Sequence, residues 1–466
     1  MSTLKLKGKH LRSVGYPEGP VISIAMNVME RNFKHSSLDE ALNILKNILQ
    51  NPTDYLEHPV FAKIADQFII KPELAGNEIA LNEKGIQYNI FGAEQIEEGA
   101  LKQMQIAARL PVSVAGALMP DAHHGYGLPI GGVLATNNVI IPYAVGVDIV
   151  CRMCLSIYPL ATISLEKKAS VFKRELIANT LFGSGREFQQ MTDHEVLARP
   201  EFNEIAFLTG LQNKAAKQIG SSGSGNHFVE FGEVEIVEPD NPLGLLPGKY
   251  VGLLSHSGSR GMGASIASYY TQIAMKKTVL PPDAKHLAWL DLDSQEGIEY
   301  WMAMTLAGDY ASACHHIIHD KIEEALGEQH IARVENHHNF AWKETYEGTD
   351  VIVHRKGATP AGKDVLGVIP GSMTAPGYIV KGKGESLSLN SASHGAGRKM
   401  SRTRAKANIS QEAMQKILKE HGVNLIGGGL DEAPHAYKDI EMVMKAQQVL
   451  VDVVGKFYPK IVRMDG

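Results

Sequence analysis

The sequence predicts an α+β protein in which strand-rich layers are covered by peripheral helices. From Val112 onward, short apolar runs alternate with turns rich in Gly and Pro, a pattern typical of many short strands. Segments with apolar residues at helical spacing precede these runs and reappear among them. Because Gly-rich clusters are spread through the chain without a fixed-period repeat or an obvious linker, we predict one interwoven domain over 91–466, preceded by a helical extension over 1–90.

The individual helices and strands are predicted from the spacing of apolar residues and from the capping, Gly and Pro residues at their ends. In the extension, a Ser N-cap and helical apolar spacing predict a helix over 36–50, and 58–70 repeats the pattern. A stronger amphipathic helix is predicted over 93–110, where Pro111 ends it. Strands are predicted at 133–134, 139–141, 250–254, 351–354 and 377–381. Further helices are predicted over 263–275, 295–326, 410–420 and 436–457, the last of them long and amphipathic.

The composition is that of a globular protein. The 466 residues can bury a sizeable core, and 44% hydrophobic with 21% charged residues is an ordinary balance. No run approaches the roughly 20 apolar residues that span a bilayer. The basic, polar N-terminus has no apolar run behind it, so we expect a cytoplasmic protein rather than a secreted one. With a formal net charge of −5, a nucleic-acid partner would need a local basic groove.

The three cysteines, Cys151, Cys154 and Cys314, are too few and too odd in number for a disulfide framework. Cys151 and Cys154 form a Cys-x-x-Cys pair, which could be half a zinc site or a redox motif. Without a second pair a four-Cys zinc site is excluded, and a thioredoxin-like role lacks its βαβ setting. Asp148 and Cys151 can face one metal from a single turn. Together with histidine they suit Mn, Fe, Co or Zn.

Several of the 19 histidines stand in loop-like, mostly Gly-flanked segments, where small neighbours let a ligand approach the imidazole. For any single one, a hydrogen-bonded loop histidine is the competing interpretation, but their recurrence favours a site. The segments contain His123 and His124 (MPDAHHGYG), His227 (GSGNHFVE), His256 (LSHSGSRG), His337 and His338 (ENHHNF) and His394 (SASHGAGRK). We expect structural roles for His124, His315, His316, His319 and His337, since the i, i+4 pair His315 and His319 lacks the Glu of a His-Glu-x-x-His motif.

Read in order, the motifs resemble those of one family. They are MPDAHHGYGLPIGG, Asp148-x-x-Cys151, GSGNHFVE, HSGSRGMG, HHN, HRKGATPA, PGSMTAPGYIV, HGAGRKMSR and APHAYKD. Together they resemble the RtcB RNA ligases, from about Phe91 to the end of the sequence. The resemblance implies the RtcB-like fold, with central β-sandwich layers.

The resemblance also implies two Mn²⁺ ions and GTP. Cys151 would bridge the ions, with Asp148 and His227 completing the shell of one ion and His256 and His338 that of the other. A thiolate can bridge two cations, and imidazoles on loops can converge on them.

The resemblance further assigns the nucleophile that takes GMP to His394, with Asp121 orienting its imidazole. Asn226 would hold a phosphate oxygen of GTP. The residues implied near guanine are Phe228, Glu230, Ser372 and Tyr437. The candidates for phosphate contacts are Arg260, Arg398, Arg402 and Arg404, and ordinary surface charge is the competing interpretation for the last two.

The implied reaction joins RNA 3′-phosphate or 2′,3′-cyclic phosphate ends to 5′-hydroxyl ends through a histidine–GMP intermediate, in tRNA splicing or RNA repair. An archease-like activator is a candidate partner. Two alternatives stay open: a metal-dependent phosphoesterase that lost ligation, and an inert RNA-binding paralogue on the same scaffold. The intact HGAGR motif speaks against the first, and the complete set of ligands with the nucleophile speaks against the second.

Some positions depart from the common pattern of the family. Val150, Arg152 and Cys154 stand where many members have Asn, Gly and Arg. Asp465 stands where a Lys that reaches guanine is expected, although a carboxylate could also accept from guanine's donors. The segment before Phe91 differs as well. These departures suggest a divergent paralogue with a specialised RNA substrate.

Overall fold

The computed structural model describes residues 4, 6–17, 20–56, 58–65, 67–68 and 78–466. They belong to two compact units, Met1–Gly76 and Asn77–Gly466. The segment just before residue 90 is part of the second unit, because Tyr88–Ile90 pairs in parallel with the strand Ser113–His123. In the described residues, no helix is both long enough and apolar enough to cross a membrane.

The first unit is helical. Its helices are α1 (Gly8–Ser13), α2 (Pro20–Asn32), α3 (Leu38–Gln50) and α4 (Ala62–Ala65), with a 3₁₀ turn at Pro52–Tyr55. Ser37 begins α3 with a capping box: its hydroxyl accepts from the Glu40 backbone N–H, and the Glu40 carboxylate accepts from the Ser37 N–H. The predicted helix over 36–50 is confirmed. Of the predicted helix over 58–70, the structure forms the single turn α4, and residues 66, 69 and 70 lie outside the described part.

The second unit contains the remaining helices and all the described strands. The helices are α5 (Glu98–Ala108), α6 (Ser164–Lys167), α7 (Ala169–Asn179), α8 (Glu201–Glu204), α9 (Ala206–Thr209), α10 (Gln212–Gln218), α11 (Arg260–Lys277), α12 (Gln295–Leu326), α13 (Arg402–Asn408), α14 (Gln411–Glu420) and α15 (Ile440–Ala446). Short 3₁₀ helices lie at Ala93–Gln95, Pro142–Val145, Glu195–Ala198, Lys285–Leu287, Ser386–Ser388, Leu430–Glu432 and Pro434–Ala436.

The strands are β1 (Tyr88–Ile90), β2 (Ser113–His123), β3 (Ile130–Thr136), β4 (Val139–Ile140), β5 (Arg152–Tyr158), β6 (Phe228–Ile236), β7 (Gly248–Ser257), β8 (Leu290–Asp291), β9 (Ala332–His337), β10 (Asn339–Tyr346), β11 (Thr349–Lys356), β12 (Ala358–Pro360), β13 (Leu366–Ile369), β14 (Gly377–Gly382), β15 (Ser391–Ser393), β16 (Asn424–Ile426) and β17 (Val451–Met464). The combination of mixed helices and mainly antiparallel strands confirms the predicted α+β class.

Two sheets form the central layers. One has five strands in the order β1-β2-β3-β11-β10, and the other has eight, in the order β13-β14-β17-β6-β7-β5-β9 with β16 paired to β17. The eight-stranded sheet nearly closes, because the Asn336 side chain on β9 accepts from the Val368 N–H of β13 (2.8 Å) and donates to its carbonyl (3.2 Å). One apolar core is shared by the two sheets, with Val133 and Val353 from the first and Ile369 and Val380 from the second. The expected sandwich of strand layers is therefore present.

Helix α12 is the longest helix of the described chain, and its bounds match the predicted helix over 295–326. The Ser294 hydroxyl accepts from the Gly297 N–H (3.1 Å), which satisfies a donor in the first turn. Gly327, with φ of +67°, ends the helix in the left-handed conformation that glycine adopts at little cost. The helix buries a continuous series of small and aromatic residues against the second unit's largest core.

The predicted helix over 436–457 is wrong in its second half. Within this range only α15 is α-helical, and Val451–Met464 is a strand between β14 and β6. The error has a physical cause in a β-bulge: the register shifts so that Val453 and Gly455 pair with adjacent residues of β14, and Val454 is the extra residue between them. The bulge places buried residues at 451, 454 and 457, a spacing that imitates a helix.

Candidate metal centre and catalytic cavity

The predicted metal ligands gather at one edge of the eight-stranded sheet. Cys151 directly precedes β5 and His227 directly precedes β6, whereas His256 lies near the end of β7 and His338 follows β9. These strands are antiparallel neighbours, so the beginnings of β5 and β6 lie at the same edge as the ends of β7 and β9. Strand register thus brings together residues that are far apart in sequence.

The ligand atoms form two triplets that share one thiol. The Cys151 Sγ lies 3.0 Å from His256 Nε2 and 3.5 Å from His227 Nε2. On one side, His227 Nε2 is 2.8 Å from an Asp148 oxygen, and on the other, His256 Nε2 is 3.4 Å from His338 Nε2. In each triplet the ligand atoms all lie within 4.8 Å of one another. The arrangement fits a pair of cations joined by the Cys151 sulfur.

Backbone carbonyls orient two of the imidazoles. His227 Nδ1 lies 2.8 Å from the Ser222 carbonyl, and His256 Nδ1 lies 3.2 Å from the Asn226 carbonyl. Since a carbonyl only accepts, each Nδ1 carries the hydrogen and donates it, which leaves the Nε2 lone pair for a cation. Such partners of the second nitrogen are typical of metal-ligating histidines.

The electrostatics of the cluster also favour a metal. Burial lowers the pKa of His256 to about 3 and holds the pKa of His338 well below its usual range, so both imidazoles are neutral, the form that can bind a metal. Although burial opposes ionisation of Asp148, the neighbouring His227 and then Arg260 lower the pKa of that carboxyl to about 2. Burial, with Asp148 nearby, raises the pKa of the Cys151 thiol well above its usual range. A bound cation would stabilise the thiolate, and the Cys, His and Asp donors suit a transition metal.

The predicted nucleophile His394 is held by the predicted orienting residue Asp121. His394 follows β15, and both its Nδ1 (2.6 Å) and its backbone N–H (3.1 Å) contact one oxygen of the fully buried Asp121. Burial opposes ionisation of Asp121, but His394 and then Lys438 outweigh it and lower the pKa of the carboxyl. Nδ1 therefore donates its hydrogen to the carboxylate, and the Nε2 lone pair lies on the opposite side of the ring. The His394 ring is 4.9 Å from that of His338.

A cavity of about 340 Å³ connects the two triplets with His394. Its lining contains most of the residues predicted for the nucleotide, namely Asn226, Phe228, Glu230, Ser372, Arg398 and Tyr437. The metal-ligand candidates in the lining are Asp148, Cys151, His256 and His338. The predicted residues outside the lining are Asp121, His227, Arg260 and Arg404. Asp121 instead contacts His394, and His227, a member of one triplet, contacts Asp148 and Cys151.

Glu230 is the third residue of β6 and lies on the cavity wall, where it is only 4% exposed. Burial holds its pKa well above the usual range, which favours the neutral acid. Within the described residues its carboxyl group forms no hydrogen bond. A buried polar group without a partner is unfavourable, so donors from a bound ligand would stabilise Glu230 in its position.

The arginines of the cavity are already paired with carboxylates. Arg398 lies over the Tyr437 ring at 5.2 Å and within 3.5 Å of Glu432. Arg402 binds Glu432 and also Asp431 at 2.9 Å. The Tyr437 hydroxyl donates to the same Glu432. Arg398 and Arg402 thus line the cavity in fixed orientations, and the carboxylates of Asp431 and Glu432 neutralise their charges.

Two other predicted contacts lie elsewhere. Arg260 begins α11 outside the cavity lining, and its guanidinium lies 3.3 Å from Nδ1 of His227. His227 belongs to the metal cluster, our name for the candidate ligands Asp148, Cys151, His227, His256 and His338. Arg404 is exposed on α13. At the end of β17 the cavity is lined by Met464, and the neighbouring Asp465 is not a lining residue.

Sequence reasoning gave no role to three residues of the site. Lys356 and Asn339 stand inside the motifs HRKGATPA and HHN, and Glu432 precedes APHAYKD. Asn339 donates to the Asp148 carbonyl (3.0 Å) and accepts from the Gly357 N–H (2.8 Å), so it fixes the loop that carries the ligands. Lys356 lines the cavity, and burial lowers its pKa to about 7. The position of Lys356 and Asn339 inside recognised motifs was the sequence signal that could have indicated a role in the site.

A second group of histidines lies under the same strands. His315 and His319 of α12 are fully buried, and the Ser255 hydroxyl is 2.6 Å from His315 Nδ1 and 2.8 Å from His319 Nε2. Cys154 belongs to this group, with its Sγ 3.9 Å from His319 Nδ1. The Cys-x-x-Cys pair is therefore divided between two environments, and its second cysteine lies outside both metal triplets.

The remaining predicted structural histidines also have protein partners. His316 contacts Glu335 at 2.5 Å, and the His337 ring stacks on Trp342 at 5.1 Å. His124 is exposed, and its backbone N–H donates to Glu97. The rings of His316 and His337 are thus held by protein partners, whereas the contact of His124 is made by its backbone, and its structural role stays a prediction.

The fold and the site define an α+β protein that combines two linked triplets of candidate metal ligands with a carboxylate-oriented histidine. A sequence model of the family described as tRNA-splicing ligase RtcB matches residues 103–465. The RNA-splicing ligase RtcB of Escherichia coli K12 is 33% identical over 390 residues, which cover 77% of this chain and 92% of that protein. The chain belongs to the RtcB family.

Two further relatives have similar identity and coverage. The tRNA-splicing ligase RtcB of Thermococcus kodakarensis is 31% identical over 438 residues, covering 78% of this chain and 90% of that protein. The tRNA-splicing ligase RtcB of Nanoarchaeum equitans is 30% identical over 433 residues, covering 78% and 91%.

Proposed function

We propose that this chain is a cytoplasmic GTP- and Mn²⁺-dependent RNA ligase that acts in tRNA splicing or RNA repair. It joins RNA 3′-phosphate or 2′,3′-cyclic phosphate ends to 5′-hydroxyl ends through a histidine–GMP intermediate. The observation that carries the proposal is the shared cavity of the two Cys151-linked triplets and His394. The relatives named RNA-splicing or tRNA-splicing ligase support the ligase class.

In the first step, His394 acts as the nucleophile. Its Nδ1–H stays hydrogen-bonded to the Asp121 carboxylate. This bond fixes the tautomer and stabilises the positive charge that develops on the ring. Nε2 forms a bond to the α-phosphorus of GTP as the bond to pyrophosphate breaks. Metal ions held by the two triplets would neutralise charge on the phosphate oxygens. GMP then passes from His394 to the RNA 3′-phosphate, and a 5′-hydroxyl attacks the activated end with release of GMP.

The guanine pocket is assigned to the wall formed by Glu230, Phe228 and Tyr437. Glu230 needs hydrogen-bond donors, and the guanine edge offers N–H groups. Phe228 and Tyr437 offer ring surface beside it. Asn226, next to the candidate metal ligand His227, is the candidate to bind a phosphate oxygen of GTP. Ser372, in the cavity wall, is a further candidate to contact the nucleotide.

The decisive experiment is labelling with α-³²P GTP in the presence of Mn²⁺. Wild type should acquire acid-labile label, and His394→Ala should acquire none. His124→Ala is the matched control, because His124 is an exposed Gly-flanked histidine outside the cavity. Unlabelled wild type under conditions where metal binds would contradict the ligase, and label that persists in His394→Ala would contradict the choice of nucleophile.

The alternatives have their own outcomes with an RNA that ends in a 2′,3′-cyclic phosphate. Opening of the cyclic phosphate without labelling or joining identifies a phosphoesterase. Binding of the RNA without either reaction identifies an inert paralogue. An archease-like protein is the proposed activator. It should raise the number of ligation cycles per chain, and an unchanged number would remove it from the proposal.

A further inference from the structure

An aromatic group lies beside the cavity, where Lys356 of the lining contacts two of its members, Tyr126 and Tyr143. We call Tyr126, Tyr143 and His286 the rim cluster. Tyr143 and His286 stack at 5.1 Å with an interplanar angle of 28°, and the Tyr126 ring lies nearly perpendicular to both, at 6.5 and 6.1 Å. Tyr126 is 65% exposed. The proposed histidine–GMP chemistry does not use these rings, and a large exposed aromatic side chain in a fixed position is suited to a planar ligand.

The loop that carries Tyr126 is anchored to the cavity on both sides. It joins β2 to β3, and His123 and Ile130, at its two ends, are lining residues. Gly127 adopts φ of +68°, and a Cβ there would lie 3.1 Å from the His286 carbonyl oxygen. The close approach packs the loop onto the 3₁₀ helix Lys285–Leu287. The backbone of this loop is therefore fixed in a position that leaves the Tyr126 side chain exposed.

A buried lysine side chain connects the rim cluster with the cavity. The Lys356 ammonium lies 5.1 Å from the Tyr143 ring centre and donates to the Tyr126 carbonyl. Lys356 is only 6% exposed and lines the cavity. Among the described residues no carboxylate lies within ion-pair distance of it. The Lys356 side chain therefore has N–H groups available to donate to a ligand. A buried ammonium without a carboxylate beside an exposed aromatic surface is suited to a nucleotide with a terminal phosphate.

We propose that the rim cluster is the stacking platform for the 3′-terminal base of a single-stranded RNA, whose terminal phosphate lies against Lys356. The proposal rests on the ligase function above and extends it to the way in which the RNA end is held. Stacking on an aromatic ring tolerates any base, since every base has a π-face. The platform would therefore recognise an unpaired end rather than a sequence.

Fluorescence of 2-aminopurine tests the stacking directly. An RNA oligonucleotide with a 3′-phosphate carries the probe at its 3′-terminal position and is titrated with the protein without GTP. Wild type should quench the probe on binding. Tyr126→Ala should lose the quenching and bind about tenfold more weakly, whereas Tyr126→Phe should retain both properties. Tyr269→Ala is the control, because Tyr269 is 40% exposed and stacks on Phe207 outside the cavity lining.

Lys356→Met tests the position of the phosphate. Replacing the 3′-phosphate of the oligonucleotide with a 3′-hydroxyl should weaken binding to wild type, and should weaken binding to Lys356→Met much less. An equal loss in both proteins would overturn the assignment of the phosphate to Lys356.

The same proteins are labelled with α-³²P GTP, which separates this proposal from the ligase proposal. Tyr126→Ala should be labelled as well as wild type, since the ring contacts neither His394 nor the metal cluster. Labelled wild type that binds RNA without quenching, or unchanged binding by Tyr126→Ala, overturns the platform alone. Quenching confined to a probe at the 5′ end overturns its assignment to the 3′ end. Wild type that takes no label and binds no RNA removes the ligase proposal, and the platform with it.

Discussion

Two clusters of buried histidines flank strand β7, and only one of them is suited to binding metal. His256 belongs to the metal cluster, formed by Asp148, Cys151, His227, His256 and His338. The preceding residue, Ser255, belongs to the helix cluster, formed by Cys154, Ser156, Ser255, His315 and His319. Since successive residues of a strand point to opposite faces, a single step along β7 passes from one cluster to the other.

The clusters differ in how their hydrogen bonds are completed. Both nitrogens of His315 have partners, the Ser255 hydroxyl at 2.6 Å and the Ser257 carbonyl at 3.3 Å. His319 contacts the Ser255 and Ser156 hydroxyls at 2.8 Å each. In the metal cluster, the Nε2 atoms of His227 and His256 instead converge on a thiol. Burial lowers the histidine pKa in both clusters, so converging lone pairs rather than burial distinguish a ligand.

The two cysteines should separate the clusters most strongly. Cys151→Ala should remove bound Mn²⁺ and lower GTP labelling by at least about 100-fold, because one thiolate serves both triplets. Cys154→Ala should change neither and should lower the free energy of unfolding by about 1 kcal/mol. Metal content by atomic emission spectroscopy, with labelling on the same samples, measures both effects. An equal loss in the two variants would mean that the clusters share a metal function.

The Asp121→Asn substitution should have the next largest effect. The amide can donate to His394 Nδ1, which favours the tautomer whose hydrogen is on Nε2 and removes the attacking lone pair. We expect guanylation to slow by about 10³-fold with unchanged metal content. Rapid-quench measurement of the labelling rate provides the test. A loss of metal in parallel with rate would instead indicate that Asp121 supports the metal cluster.

Loss of the shared hydroxyl in the helix cluster should affect stability only. Ser255→Ala leaves His315 Nδ1 and His319 Nε2 without their partner, which should cost about 1–3 kcal/mol of unfolding free energy. Denaturant unfolding of the metal-free protein measures the cost. Ser265→Ala is the matched control, since the Ser265 hydroxyl is partly buried and donates only to a carbonyl within α11. A Ser255→Ala protein of normal stability that loses its metal would reverse the roles assigned to the clusters.

The smallest effect concerns pH. Burial, and then Arg152 and His319, hold the pKa of His315 well below its usual value, so the unfolded chain binds a proton that the folded chain does not. Stability is then present above the unfolded pKa of about 6.5 and is lost as the pH falls below it. His315→Gln should flatten this slope by up to about 1.4 kcal/mol per pH unit. Unfolding of the metal-free protein between about pH 6.5 and 5.5 measures it, and an unchanged slope would contradict a buried, neutral His315.

The sequence was a good guide where local signals decide the structure. Helix α12 has its predicted bounds because Ser294 and Gly327 are strong end signals. Strand β17 was mistaken for a helix because its bulge at Val454 breaks the two-residue alternation. Neither the bulge nor the pairing partner of a strand can be read from the strand alone.

In the site, too, local signals were readable from the sequence and long-range contacts were not. The residue types of Asp148 and Cys151 indicated a metal, but their convergence with His256 depends on the register of distant strands. The contact between Asp121 and His394 was expected only from the family resemblance. The roles of Lys356 and Glu432 escaped prediction because a charged residue in a strand or turn usually faces solvent.

The alternation of Ser255 and His256 also constrains how the chain can change. Insertion of one residue within β7 before Ser255 would shift the register and exchange the faces of both side chains. The metal cluster would lose a ligand and the helix cluster its bridging hydroxyl in one event. An insertion in the largely exposed turn at 239–244, before β7 begins, should leave that register intact. Tolerance to length variation should therefore end abruptly where β7 starts, so loop grafting belongs outside that boundary.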